Sequence, residues 1–243
     1  MSYKPLEEVK QRLDRLGTYE LNEEKFVEVA DYALQEEKPI DRLIEGYHQL
    51  LGEVSNEMKQ MDDHMGMTPT CQMGCAFCCY FPIIITRLEA KMIIRSIESM
   101  NDERRQSIKT HLKEYFEANK DKVEYCTTLD FQNRDVKFDY MKAQLPCPLL
   151  NTETNTCMAY ESRPLPCRTY VNYMDPKICA DNLVPEETVS FEFLYEDYMG
   201  NLNEIAQEVA DEDDSVEYPE DLFEYNYLPV FLKEWIQRGE QSV

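Results

Sequence analysis

Four thiols fall within nine residues of this chain, in Cys71-Gln72-Met73-Gly74-Cys75-Ala76-Phe77-Cys78-Cys79. Cysteine more often appears singly, as a small buried hydrophobe. Short, regular spacing calls for another cause, and thiolate ligation of a metal supplies it. On a helix, positions 71, 75, 78 and 79 share one sector of about 100°. With the chain bent at Gly74 instead, spacers of this length still close a tight chelate. The adjacent Cys78 and Cys79 would point to opposite faces of an extended chain, which suits ligands of two different metal atoms.

A second set follows: Cys147-Pro148, Cys157, the run Tyr160-Glu161-Ser162-Arg163-Pro164-Leu165-Pro166-Cys167-Arg168, and Cys179. Without Cys126, which stands apart and reads as a buried or free thiol, the two sets hold eight cysteines. That is enough for two four-thiolate centres, or for one iron–sulfur cluster and a structural metal. Four thiolates leave a zinc ion or a [4Fe–4S]²⁺ cluster at a net charge near −2. Arg163 and Arg168 flank Cys167 and are the natural cations to neutralise such a centre and tune it by hydrogen bonds. Pro164 and Pro166 restrict the backbone ahead of Cys167. His64 could ligate a metal, but Asp62-Asp63-His64 reads as a solvated helix end, and it is left out of the ligand set.

The elements that position these residues are read as helices. Glycine is scarce (7 of 243 residues) and 30% of the residues are charged, a balance that favours a mainly α, helical globule with a loop-rich cysteine metal-binding region. Leu6, Val9, Leu13 and Leu16 mark one amphipathic stripe, and Phe26, Val29, Ala30 and Ala33 mark a second over residues 22–36. After a break at Pro39, apolar residues from Ile40 to Met61 sustain the period through a longer helix. Thr86 and Glu89 form a capping box that opens a helix to about residue 100, and another runs to about residue 119. Residues 120–144 suggest a turn and a short helix; residues 146–179 are rich in turn formers and read as loop. A helix over residues 188–210, a solvated acidic linker over 211–224 and a last helix over 228–238 complete the chain. In order, the expected divisions are residues 1–66, helical; 67–182, the cysteine metal-binding domain; and 183–243, an acidic helical segment packed on it.

The net charge of −23 repels phosphate backbones and anionic lipid surfaces, so neither a nucleic-acid nor a membrane partner is expected. The N-terminus lacks an apolar core of the signal-peptide type, and the longest aliphatic run, Phe81 to Ile85, is too short to span a bilayer. A cytoplasmic location is therefore expected, where thiols stay reduced and a disulfide framework is disfavoured.

The whole constellation, CxxxCxxCC followed by CPxL, a lone cysteine, YxxRPxxCR and a final cysteine, resembles the YkgJ-like cysteine-cluster family of CxxCxxCC-type zinc- or iron-chelating domains. The resemblance covers Cys71 to Cys179. It implies metal ligation by Cys71, Cys75, Cys78, Cys79, Cys147, Cys157 and Cys167, with Tyr160, Arg163, Pro164 and Arg168 as motif positions. Cys179 is a looser match to an eighth cysteine, and the first gap is three residues rather than two. The flagellin lysine N-methylase group carries the same cluster and is similar through that motif alone; no GxGxxG loop accompanies it here. Three functional classes follow. One is an iron or iron–sulfur protein for redox, sensing or iron handling. Another is a structural zinc protein that acts through an unidentified protein partner. The third is a metal-dependent protein-modifying enzyme, for which no catalytic constellation is visible.

Overall fold

Apolar residues repeating at three and four positions fold as helices through most of this chain. The computed structural model describes residues 3–133 and 135–241. It is 61% helical, with few short strands, a mainly α architecture. The helices are α1 Leu6–Leu13, α2 Glu23–Ala33, α3 Pro39–Met65, α4 Arg87–Glu98, α5 Asp102–Ala118 and α6 Lys120–Thr128. They continue as α7 Val136–Lys142, α8 Pro166–Thr169, α9 Lys177–Asp181, α10 Leu194–Ala210, α11 Glu220–Phe223 and α12 Leu228–Gln241. Three two-stranded antiparallel ladders join β1 Ile84–Thr86 to β6 Tyr225–Tyr227, β2 Leu150–Asn151 to β3 Thr156–Cys157, and β4 Tyr170–Val171 to β5 Val189–Ser190. Two compact units result, each made of two stretches of chain. The first takes the chain to Met73 together with Pro164–Val216; the second takes Gly74–Arg163 and the chain from Glu217. Among the described residues, no helix is long and apolar enough to cross a membrane.

In the first unit α3 is central. Pro39 sits at the start of the helix, where its missing N–H costs nothing. Leu43, Tyr47, Leu50, Leu51, Val54, Met58, Met61 and Met65 form the buried stripe, a core use of the methionines. Against it lie Phe26, Ala30 and Ala33 of α2 and Leu194, Tyr198, Leu202, Ile205 and Val209 of α10. Gly46 lets these helices approach: a Cβ there would fall 2.4 Å from Ile205 Cδ1 and 3.3 Å from Ala33 Cβ. Glu57, fully buried on α3, accepts the Tyr19 hydroxyl at 2.5 Å. The helix expected to begin at residue 188 begins at Leu194, because Val189 and Ser190 pair with Val171 and Tyr170 instead. A β-branched residue at that point favours the ladder over another helical turn.

In the second unit β1 runs directly into α4. Thr86 Oγ1 accepts the Glu89 N–H at 3.1 Å and Glu89 Oε2 accepts the Thr86 N–H at 3.0 Å, completing the capping box. β6 leads in the same way into α12, which packs on α4 and α5 and extends to Gln241 rather than stopping before Gly239. Cys126 is fully buried among Tyr115, Val123, Tyr140, Leu145 and Tyr227. Residues 211–224 are not wholly a solvated linker. Within them α11 buries Leu222 and Asp221, and Asp221 Oδ2 accepts Lys91 Nζ at 2.6 Å and the Glu217 N–H at 2.8 Å. A buried carboxylate needs such donors.

Gly46→Ala is expected to lose about 1 kcal/mol net, overpacking at Ile205 outweighing a helix-propensity gain of about 1 kcal/mol. Ile205→Val alone costs about 0.5–1.5 kcal/mol. Because valine lacks the Cδ1 that alanine would strike, the double variant should lose less than the sum. Denaturant unfolding of the four proteins tests this, and strictly additive losses would contradict the packing described.

Candidate metal centre

Accessibility separates the cysteines into two kinds. Cys126 is buried in a core; Cys71 is exposed and Cys75, Cys78, Cys79, Cys147, Cys157, Cys167 and Cys179 are half-buried. None of the nine is joined in a disulfide. Cysteines used only for packing sit inside, so eight cysteines that keep some exposure point to chemistry rather than to core filling. Burial pushes the Cys126 thiol up to about 11, with Lys122 opposing, which leaves it protonated and inert.

The first unit holds Cys71, Cys167 and Cys179. Asn172, which is only 2% exposed, connects Cys71 and Cys179. Its backbone N–H donates to Cys71 Sγ at 3.4 Å and its side-chain Nδ2 to Cys179 Sγ at 3.6 Å. The Asn172 carbonyl in turn accepts both the Thr70 N–H, at 2.8 Å, and the Thr70 hydroxyl, at 3.0 Å. Cys167 lies in α8, opened by Pro166, and the next residue, Arg168, donates to Ser55 Oγ on α3 at 2.9 Å. His64 Nε2 donates to the Arg15 carbonyl at 3.0 Å and lies 3.2 Å from Thr18 Oγ1, engaged with the N-terminal segment. Its neighbour Asp62 is half-buried and accepts the Tyr173 hydroxyl at 2.6 Å. Burial pushes the Asp62 carboxyl up to about 6, the Tyr173 bond partly offsetting it.

The second unit holds Cys75, Cys78, Cys79, Cys147 and Cys157. The bend between Cys71 and Cys75 comes from Gly74 at φ +90°, a conformation that side chains resist. A 3₁₀ turn over Phe77–Tyr80 then brings the Cys78 and Cys79 sulfurs into a hydrogen bond. That bond, followed by burial, pushes the Cys78 thiol well up, while the Arg163 charge acts in the opposite direction. The Arg163 guanidinium stacks 3.8 Å from the Tyr160 ring centroid, so the two motif residues hold each other. The Cys147 N–H donates to the Cys79 carbonyl at 2.7 Å, tying the second cysteine set to the first. Cys157 sits on β3 opposite Leu150.

The loops around Cys147 and Cys157 are held by α5, a helix expected from its apolar period, through polar contacts that cysteine spacing does not reveal. From α5, the Tyr115 hydroxyl donates to the Pro146 carbonyl at 2.6 Å and His111 Nε2 to the Pro148 carbonyl at 3.0 Å, one on each side of Cys147. Arg104 Nη2 reaches the Met158 carbonyl, beside Cys157, at 3.1 Å. These three residues share one face of α5, and that periodicity is the signal that could have found them. Burial first, then the nearby Cys147, pushes the Tyr115 hydroxyl far above its usual range, so it remains a donor.

Hydrogen bonds link the sulfurs of Cys71 and Cys179 through Asn172 and those of Cys78 and Cys79 directly, and they join the backbones of Cys79 and Cys147. Among the described residues, no three or more His, Cys, Asp or Glu side chains are grouped so as to hold one ion. As donors the eight thiols fit a soft or borderline metal, zinc or iron, and exclude a calcium or magnesium site, which needs oxygen ligands.

Two outcomes follow. Removing both α5 donors with Tyr115→Phe and His111→Ala leaves the Pro146 and Pro148 carbonyls without them, at a cost of about 1–3 kcal/mol. Cys147 in chelator-treated protein should then alkylate several-fold faster, and an unchanged rate by peptide mass spectrometry would show that the α5 contacts do not restrain it. For Asp62, the folded protein holds a proton between pH 3.8 and about 6 that the unfolded chain gives up. Its contribution to stability is therefore lost as pH rises through that window. Asp62→Asn should remove this slope in urea titrations across the window; an equal slope in both proteins would assign it to another group.

Comparisons with curated proteins and with solved structures found no match. Residues 70–186, which contain all eight cysteines of the two sets, match the CxxCxxCC family, described as a "putative zinc- or iron-chelating domain".

Proposed function

We propose that this chain is a cytoplasmic iron protein that holds an iron–sulfur cluster or chelated iron through clustered thiolates, for redox, sensing or iron handling. The observation that supports it is the division of the cysteines, eight at least partly exposed against one buried in a core. Cys71, Cys75, Cys78, Cys79, Cys147, Cys157, Cys167 and Cys179 are the proposed ligands. Bound iron would supply one-electron chemistry. The chain's own residues set its surroundings. Arg163 brings positive charge towards Cys78, Asn172 donates to two sulfurs, and His111 and Tyr115 fix the backbone around Cys147. Hydrogen bonds to sulfur and nearby charge are the terms that set cluster potentials. In a chain of net charge −23, such donors matter all the more.

A second reading draws on the local structure of the later cysteines. From Leu150 to Asp181 every helix and strand is five residues or shorter, a segment that a structural zinc would brace. Zinc would then be scaffold, and the acidic surface would contact a protein partner.

Elemental analysis and a visible spectrum of protein purified without oxygen separate the two. A brown protein with iron and acid-labile sulfide supports the first reading; a colourless one with stoichiometric zinc replaces it with the second. Cys78→Ser is expected to lose metal. Cys126→Ser should keep its metal while losing about 1–3 kcal/mol of stability from a hydroxyl placed in an apolar core. Equal metal content in these two variants would defeat the ligand assignment.

A further inference from the structure

Cys179 lies twelve residues beyond Cys167, the cysteine of the arginine–proline motif, and its spacing alone gives it no partner. We infer that Cys71 and Cys179 are neighbouring ligands of one metal centre and that Asn172 is the positioning residue that holds both sulfurs. The inference rests on the chelation reading and adds to it a pairing and a residue.

Asn172 is separated from Cys71 by 101 positions and from Cys179 by seven, yet it donates to each sulfur. One donor is the backbone N–H and the other the side-chain amide, so a single residue fixes two sulfurs from widely separated parts of the chain. Donors on one small residue bring both sulfurs within a few ångströms of it, the scale on which ligands of one metal lie. The residue is itself immobile. Its Oδ1 accepts the Met174 N–H at 2.8 Å, its carbonyl accepts two bonds from Thr70, and it is almost fully buried. The amide has two hydrogens, and the second serves the Asp175 carbonyl at 3.3 Å. A turn cap would account for the Met174 and Asp175 bonds. It does not account for two N–H donors aimed at two sulfurs. Donation of this kind strengthens when the acceptor becomes a thiolate, which is the state a metal ligand must adopt.

Asn172→Asp keeps an oxygen for the Met174 N–H but replaces the Nδ2 donor with a negative oxygen facing Cys179. Chelator-stripped protein is titrated with zinc against a chromophoric chelator, and with cobalt(II) as the optical probe of bound thiolates. Cys179→Ser and Asn172→Asp should each weaken zinc binding about 10–100-fold. Both should also lower the thiolate-to-cobalt charge-transfer band, and the double variant should be no worse than the weaker single one. Thr188→Val, which removes hydroxyl bonds to Tyr170 and to the Pro185 carbonyl without touching Asn172 or either sulfur, should bind as the wild type does. Circular dichroism confirms folding, and Asn172→Ser replaces Asn172→Asp should the latter fail to fold. Wild-type affinity and spectrum in Cys179→Ser, or in a folded Asn172 variant, would overturn the inference while leaving chelation standing. A wild-type protein that binds zinc, cobalt and iron not at all would overturn both.

Discussion

A sulfur that is to bind metal must be reachable and must also be still. Core packing provides stillness by removing access, as it does for Cys126. The other eight cysteines sit in loops or on elements of five residues or fewer, which cannot build a core, so their order must come from elsewhere. For Cys71, Cys147, Cys157 and Cys179 it comes from hydrogen bonds to the thiols or to the backbone beside them. The α5 face grips the carbonyls on both sides of Cys147 and the one after Cys157. Asn172 acts similarly for Cys71 and Cys179, although there the sulfurs themselves accept. Such bonds restrain a loop without covering it.

This arrangement divides labour between elements. The α2, α3 and α10 helices close one core on apolar surface, and α4, α5 and α12 close another with β1 and β6. Each meets buried carboxylates with internal donors, Glu57 with Tyr19 and Asp221 Oδ2 with Lys91. On the proposed reading the loops carry the chemistry, and their donors oppose the charge that clustered thiolates would accumulate. Arg163 is held against Tyr160 with its charge acting on Cys78, whereas Arg168, its counterpart in the motif, reaches Ser55 on α3. Two arginines five residues apart in sequence thus engage different surroundings.

Much of this was legible in the residues. The long stripe from Leu43 to Met65 announces α3 because periodicity over many turns averages out local noise. The Thr86–Glu89 capping box is recognisable because both partners lie within four residues. The cysteines declare themselves by spacing. Other features could not be read because their cause is remote. Val189 forms a strand only because Val171 lies beside it. Asp221 is buried only because Lys91, 130 residues away, meets it. His111 and Asn172 look like ordinary polar residues. Their targets include backbone carbonyls and sulfurs contributed by distant segments, and a carbonyl has no signature in a sequence.

The interleaving of the chain bears on how the molecule comes into being. The first unit needs α10 to close its core, and the second needs β6 and α12. Every cysteine precedes those elements. Synthesis from the N-terminus therefore exposes the full complement of thiols before either core can be completed, unlike chains whose domains finish one after another. During that interval the nascent thiols face the cell without a closed core behind them, so metal delivery, oxidation and folding all compete for the same sulfurs.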